Sequence, residues 1–352
     1  LQDIVYDWAR THAGSHEAYV QEKYWRTAPE QMWPDLLVEA ARGFDSRVTV
    51  DSAAFGVETG IKFIVNSKGV QAGEDSSYIW CVGMGFAREG EDVSSFDAEY
   101  VVSCRLHDID PQAVGRRLAE RVVKSLGAAS VPGFKGSVIL TPYAGLDLLI
   151  EPFVFSINAE NVQNGQSQWK GKLGSRVSSP LLSITDDPTL PAQAGSTAFD
   201  REGVPTKPLA ILERGVLNHY LYNCYTARKD GLESNGHAVG TDQQVPGIGV
   251  TNLVVAPGEI SFEDMIAGIS RGLVVNRYSG SVDPVSGDFS GVVKGGQYIE
   301  SGKIVRPVKE VMIAGNIYEL IRRIIAVSKE VITLGNVSLP YVAIDGCSLT
   351  GK

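Results

Sequence analysis

Asp110-Pro111-Gln112-Ala113-Val114-Gly115-Arg116-Arg117-Leu118-Ala119-Glu120-Arg121-Val122-Val123-Lys124-Ser125-Leu126-Gly127 is the most plainly patterned stretch of the chain. An aspartate at the N-cap, proline in the first turn, apolar residues at i+4 steps (Val114, Leu118, Val122, Leu126) and a stop near Gly127 predict an amphipathic helix. The small-residue stretch Ala128–Gly136, with Pro132 and Gly133, then reads as a linker. With 352 residues against about 150 per domain, two domains are expected, 1–131 and 132–352. Upstream, aromatic-rich helical segments are expected around Trp8 and Tyr24–Trp25, then a helix at about Pro34–Gly43. Two strands follow between Arg47 and Val65 around a Glu58-Thr59-Gly60 turn, with further strands at Tyr78–Ala87 and Phe96–Leu106. Downstream come a strand at Lys135–Leu140 and one helix from about Pro142 to Gln163, carrying Leu146, Leu149, Ile150, Phe153 and Ile157 on one face. Short strands from Leu181 onward are interrupted by helical stretches at Ser261–Ser270 and Ile317–Ser328. Helices and strands mix without a βαβ rhythm, so the fold class is α+β.

Composition narrows the function. The apolar fraction of 43% and charged fraction of 21% are those of an ordered chain with a packed core. Lys and Arg number 32 against 41 Asp and Glu, a net charge of −9, which argues against nucleic acid as the main partner. No apolar run reaches the roughly 18 residues of a membrane span. The first residues lack a basic stretch followed by an apolar core, so no secretory signal is expected. Cys81, Cys104, Cys224 and Cys347 form no C-x-x-C pair and read as reduced thiols. Without a signal, the acceptor pattern at Asn336-Val337-Ser338 reads as accidental.

Chemical motifs are scarce. Gly165–Leu173 is similar to a phosphate-binding loop but has five residues between its glycines and Leu173 in place of the metal-binding hydroxyl, so a solvated turn is expected. Gly83-Met84-Gly85 sits inside a strand, Gly247-Ile248-Gly249 precedes no convincing helix, and no G-x-S-x-G elbow occurs. His12 and His16, followed by Glu17, share helical spacing, but two ligands rarely hold catalytic zinc. His107 precedes Asp108 and the capping Asp110. His219 reads as a packed residue in a strand, and His237 as a loop residue. Asp186, Asp187, Asp200 and Glu202 form an acidic cluster that turn chemistry explains more cheaply than a calcium or paired-carboxylate site.

Several short blocks in fixed order go further. They are Ile64–Val70, Lys172-Leu173-Gly174, Ile184–Pro188, Phe199–Thr206, Leu212–Leu217, Thr226-Ala227-Arg228, Thr251-Asn252-Leu253, Ser286–Ser290, Ile299–Lys303 and Ala314-Gly315-Asn316. Together they resemble the TldD/PmbA metalloprotease family, also labelled modulators of DNA gyrase. The resemblance implies a cytoplasmic protein of two α+β domains, lacking much of the family's first hundred residues, that assembles as a homodimer or with a related chain. It further implies that a TldD-type chain carries His-Glu-x-x-x-His on a helix and a later Cys as zinc ligands, that a TldE/PmbA-type chain lacks them, and that the pair degrades unfolded peptides and trims leader peptides. Here the corresponding helix ends Phe153–Gln163 without histidine, with Asn158, Glu160 and Asn161 as its strongly polar groups. The segment expected to bring the cysteine reads Thr333–Pro340, with Cys347 beyond it. The chain is therefore similar to the TldE/PmbA type, with no metal, cofactor or catalytic residue of its own expected and zinc expected only in a TldD-type partner. A stand-alone hydrolase working through Asp186–Glu202, and a binding protein for a gyrase- or toxin-related client, are the alternatives. The apolar segments Leu253–Ala256 and Gly272–Val275 are expected to exceed what one subunit covers and so to mark an interface.

Overall fold

The computed structural model describes residues 32–351. The expected helices around Trp8 and Tyr24–Trp25, and His12, His16 and Glu17, lie outside the described residues. The first unit comprises α1 (Met32–Phe44), β1 (Val48–Val65), β2 (Gln71–Glu89), β3 (Asp97–Ser103) and α2 (Pro111–Lys124). β2 pairs antiparallel with both β1 and β3. Both helices lie on the sheet. Leu37 and Ala41 of α1 and Val114, Leu118, Ala119 and Val122 of α2 are buried with Val48, Cys81 and Ala87. Gly115 makes the helix crossing close, since a Cβ there would lie 2.2 Å from the Leu37 carbonyl oxygen. As its sequence predicts, α2 is capped by Asp110, whose Oδ1 accepts from the Ala113 amide at 3.1 Å.

The expected turn at Glu58-Thr59-Gly60 does not occur. β1 runs unbroken from Val48 to Val65, and Gly60 pairs with Ser76 in the β1–β2 register. The chain reverses instead at Asn66–Gly69, where the Asn66 side chain accepts from the Lys68 and Val70 amides and Gly69 takes a φ of +86°. The resulting long hairpin reaches the second unit. Lys62 Nζ donates to Thr197 Oγ1 at 2.7 Å and to the Phe199 carbonyl at 2.6 Å, and Glu74 accepts from the Ala198 amide.

The second unit contains β4 (Phe134–Leu140), α3 (Pro142–Gly145), a π turn (Leu146–Ile150), α4 (Glu151–Ile157) and α5 (Ala159–Gln163). There follow β5 (Ile184–Asp186), β6 (Leu209–Glu213), α6 (Cys224–Lys229), β7 (Leu253–Val255), α7 (Phe262–Ala267), β8 (Arg271–Val275), β9 (Arg277–Val282) and β10 (Asp288–Lys294). The chain ends with β11 (Gly296–Glu300), β12 (Lys303–Val308), β13 (Met312–Asn316), α8 (Ile317–Leu320), β14 (Ile324–Leu334) and β15 (Val337–Thr350). These strands and a two-residue strand at Val216–Leu217 form one thirteen-stranded sheet, apart from which Ala238–Val239 and Gly247–Ile248 make a two-stranded pair. β15 is its hub, antiparallel to β4, β13 and β14 and parallel to β7. The first and second units together make the α+β class expected.

The apolar segments expected at an interface are interior instead. β7 lies between β15 and β5, and β8 between β4 and β11, so Leu253, Val255, Leu273 and Val275 are fully buried within one chain. The helix expected over Ile317–Ser328 stops early, at α8 and one 3₁₀ turn. From Ile324 the chain is strand, because the Ile324–Val327 run pairs with β15 through Ile344 and Val342. No helix among the described residues is long and apolar enough to cross a membrane.

Candidate functional site

The stretch expected as one helix over Pro142–Gln163 is three helical pieces. Pro152 has no N–H and its ring crowds the carbonyl four residues back, that of Leu148. The helix accommodates it with a π turn immediately before it, in which the Glu151 amide bonds to the Leu146 carbonyl. A second break falls at Asn158. Its backbone is extended (φ −69°, ψ 116°) and its side-chain oxygen accepts from the Glu160 amide at 2.9 Å, starting α5. The break is held from outside, for Leu221 N donates to the Ile157 carbonyl and Ala159 N to the Leu221 carbonyl. Asn161 ties the end down, donating to the Phe155 carbonyl at 2.9 Å while its own carbonyl accepts from Gln166 and Ser167. Glu160 points to solvent. Of the three polar groups singled out on this helix, two are thus committed to backbone and one is free but alone.

A denser polar centre lies where the two units meet. Asp97 and Glu99 project from β3 and are nearly fully buried. Glu99 accepts from Arg117 Nε and Arg121 Nη1, both at 2.5 Å, and from Tyr143 Oη at 2.5 Å. Asp97 accepts from Arg121 Nε at 3.0 Å and, across the junction, from Asn276 Nδ2 at 2.8 Å. Burial pushes the Glu99 carboxyl up, but the Arg121 charge and the bonds from Tyr143, Arg121 and Arg117 outweigh it and hold the group below the usual range. A carboxylate with three charged or hydroxyl donors is a poor proton acceptor. This centre joins the units rather than doing acid–base chemistry. It borders a cavity of about 530 Å³ lined in part by Tyr100, Lys124, Thr333 and Tyr341. On the π turn, Asp147 is half-buried. Burial and the nearby Glu151 raise its carboxyl, while Arg277 draws it down.

The acidic cluster resolves into separate roles. Asp187 and Asp200 do turn chemistry as expected. Asp187 Oδ1 accepts from Thr189, and Asp200 Oδ1 from the Glu202 and Val204 amides, with Oδ2 reaching the Ala238 amide. Glu202 accepts from the Cys224 amide at 2.6 Å. Asp186 is different. It is fully buried at the end of β5, accepting from Thr251 N and Oγ1 and facing His237 Nε2 at 3.1 Å. The other ring nitrogen of His237 faces Asn235 Oδ1 at 3.0 Å. His237 is a loop residue, as its sequence predicts, but its ring is 2% exposed and pinned on both sides. A buried carboxylate–imidazole pair with every polar atom engaged locks loops together and offers no base to a substrate.

The remaining candidates disperse. His107 is exposed beside Asp108. His219, expected packed in a strand, is exposed and lies just past the short strand Val216–Leu217. In the phosphate-loop look-alike, Gly165, Gln166, Gln168 and residues 170–173 are exposed, as the turn reading expects. Trp169 departs from it, buried and packed edge-on to Phe153 and Tyr318. All four thiols are free. Burial pushes Cys81 up to about 11, Cys347 to about 12 and, with help from the Glu202 carboxylate, Cys224 to about 11. These thiols are poor thiolate ligands or nucleophiles near neutral pH.

Zinc needs three protein ligands converging with a position left open. Residues 142–163 contain no histidine, and among the described residues no three His, Cys, Asp or Glu side chains come together to hold a metal. The described residues do not fit a catalytic zinc.

The architecture matches known proteins. Residues 134–351 match the PmbA/TldA metallopeptidase C-terminal domain and residues 29–126 the PmbA/TldA metallopeptidase central domain. The chain belongs to the PmbA/TldD family. Among particular relatives, it is 29% identical over 334 residues to the metalloprotease PmbA of Escherichia coli O157:H7, covering 92% of this chain and 72% of that one. A solved Thermotoga maritima protein, provisionally described as a modulator of a DNA gyrase, superposes with a TM-score of 0.84 at 33% identity, covering 91% of this chain and 74% of its own. TldE from Thermococcus kodakarensis shares the fold, with a TM-score of 0.82 at 23% identity over 92% and 77% of the two chains.

Proposed function

We propose that this chain is a non-catalytic TldE/PmbA-type subunit. In this reading it completes a cytoplasmic zinc peptidase with a TldD-type partner and helps present unfolded or leader peptides to the partner's metal. The supporting observation is the segment Pro142–Gln163, which has no histidine and is broken by a π turn and by Asn158. The committed bonds of Asp186 and Asp200 argue against a stand-alone hydrolase in the acidic cluster. The test is cleavage of an unfolded peptide by this chain alone, by a TldD-type chain alone and by both. Cleavage that needs both supports the proposal. Cleavage by this chain alone overturns it.

A further inference from the structure

A second cavity at the junction, of about 470 Å³, has the chemistry of an anion site. One wall is Ser94, Ser95 and Phe96, ahead of β3. The other carries Arg277, Lys294 and Lys309. The strand register concentrates this charge. Arg277 on β9 is directly opposite Lys294 on β10, an arrangement of like charges that destabilises a sheet. Lys309 follows Val308, which pairs with Gly296, and so lies at the same end of the sheet as Lys294. Among the described residues the side chains of Lys294 and Lys309 are exposed and have no hydrogen bond or ion pair. The carboxylate nearest Arg277 is Asp97, whose Oδ1 lies 3.6 Å from Nη1 and whose Oδ2 is taken by Arg121 and Asn276. The walls are already joined, since Ser95 Oγ accepts from the Gly295 amide at 3.2 Å and Arg277 Nη1 reaches the Phe96 carbonyl at 3.5 Å. Three cations therefore face one cleft, and of them Arg277 has Asp97 within ion-pair distance and Asp147 near enough to feel its charge, on a chain whose net charge is −9.

We propose that this cleft binds a phosphate dianion, either free or as the terminal phosphoryl group of a small metabolite. A dianion matches the two lysine charges, those of Lys294 and Lys309, that no described carboxylate pairs. It also offers the planar guanidinium two oxygens at once, which two lysines flank as point charges. A carboxylate would leave one cation uncompensated. The inference stands apart from the peptide-processing reading, because no residue lining the cleft lies on the broken helix.

The experiment is calorimetric titration of the whole chain at constant ionic strength with inorganic phosphate, glycerol phosphate and acetate. Phosphate is expected to bind with a Kd of about 1 mM or tighter. In Lys294→Ala/Lys309→Ala that affinity should fall at least about tenfold, with Lys68→Ala, at the hairpin turn, as the unchanged charge control. Because the double substitution removes like-charge opposition from exposed positions, the variant should melt no lower than the parent. Tight glycerol phosphate binding identifies a phosphoryl ester as the ligand, and binding of phosphate alone identifies the free anion. Acetate binding as well as phosphate, equal binding by the double variant, or no binding of either phosphate probe would overturn the proposal.

Discussion

Replacing Arg121 with methionine removes the cation that Asp97 and Glu99 share while keeping most of the side-chain volume. The two carboxylates are 5% and 4% exposed and the guanidinium 19%, so the pair is buried, and breaking such a pair costs about 3–5 kcal/mol. Arg117 stays on Glu99 and Asn276 on Asp97, which points to the lower end, about 3 kcal/mol. Arg116→Met is the control. Its guanidinium is half exposed and 3.6 Å from Asp110, a surface pair worth about 1 kcal/mol or less. Urea unfolding followed by tryptophan fluorescence, to which Trp33, packed on Phe55 in the first unit, contributes, compares the variants. The sign with pH follows from Glu99. Its folded carboxyl is held below the usual range, so its contribution is complete above the unfolded carboxylate range and is lost as pH falls through the folded value. The gap between parent and Arg121→Met should therefore narrow in acid. A cost no larger than that of Arg116→Met, or a gap that widens in acid, would mean that Arg121 does not hold these carboxylates ionised in the folded chain.

Other outcomes follow from the same geometry. Gly115→Ala sets a Cβ against the Leu37 carbonyl and should destabilise the first unit by about 1–3 kcal/mol, measured by its urea midpoint. Asn158→Ala should cost about 1 kcal/mol as a lost cap. Asn158→Ala and Glu160→Ala should each change peptide cleavage by a reconstituted pair less than about tenfold, as judged by kcat/KM. With burial holding Cys81, Cys224 and Cys347 at about 11 to 12, a thiol reagent should modify the folded chain slowly at pH 8 and rapidly once it is unfolded in urea.

The local elements were legible wherever a cap and a period coincided. Asp110-Pro111 and the i+4 stripe of α2 are found as read. Where the sequence misled, tertiary partners decided. Glu58-Thr59-Gly60 looks like a turn, yet the pairing with β2 carries the strand through it. Apolar runs such as Gly272–Val275 say that they are buried but not against what, and here the sheet itself covers them. Asn158 looked like a residue on a helix face because the break depends on Leu221, sixty-three positions away. The junction centre left a faint signal. Asp97 and Glu99 share a strand face at i, i+2, and Arg117 and Arg121 a helix face at i, i+4, but nothing local tells that the two faces meet. Asp186 and His237, fifty-one residues apart, left none.

On the proposed reading, this chain does not hold the metal that does chemistry. Zinc content of protein prepared without a metal-affinity tag, measured by elemental analysis beside a peptidase assay, tests it directly. Far less than one zinc per chain and no chelator-sensitive cleavage are expected. About one zinc per chain, lost to a chelator together with peptidase activity, would contradict it.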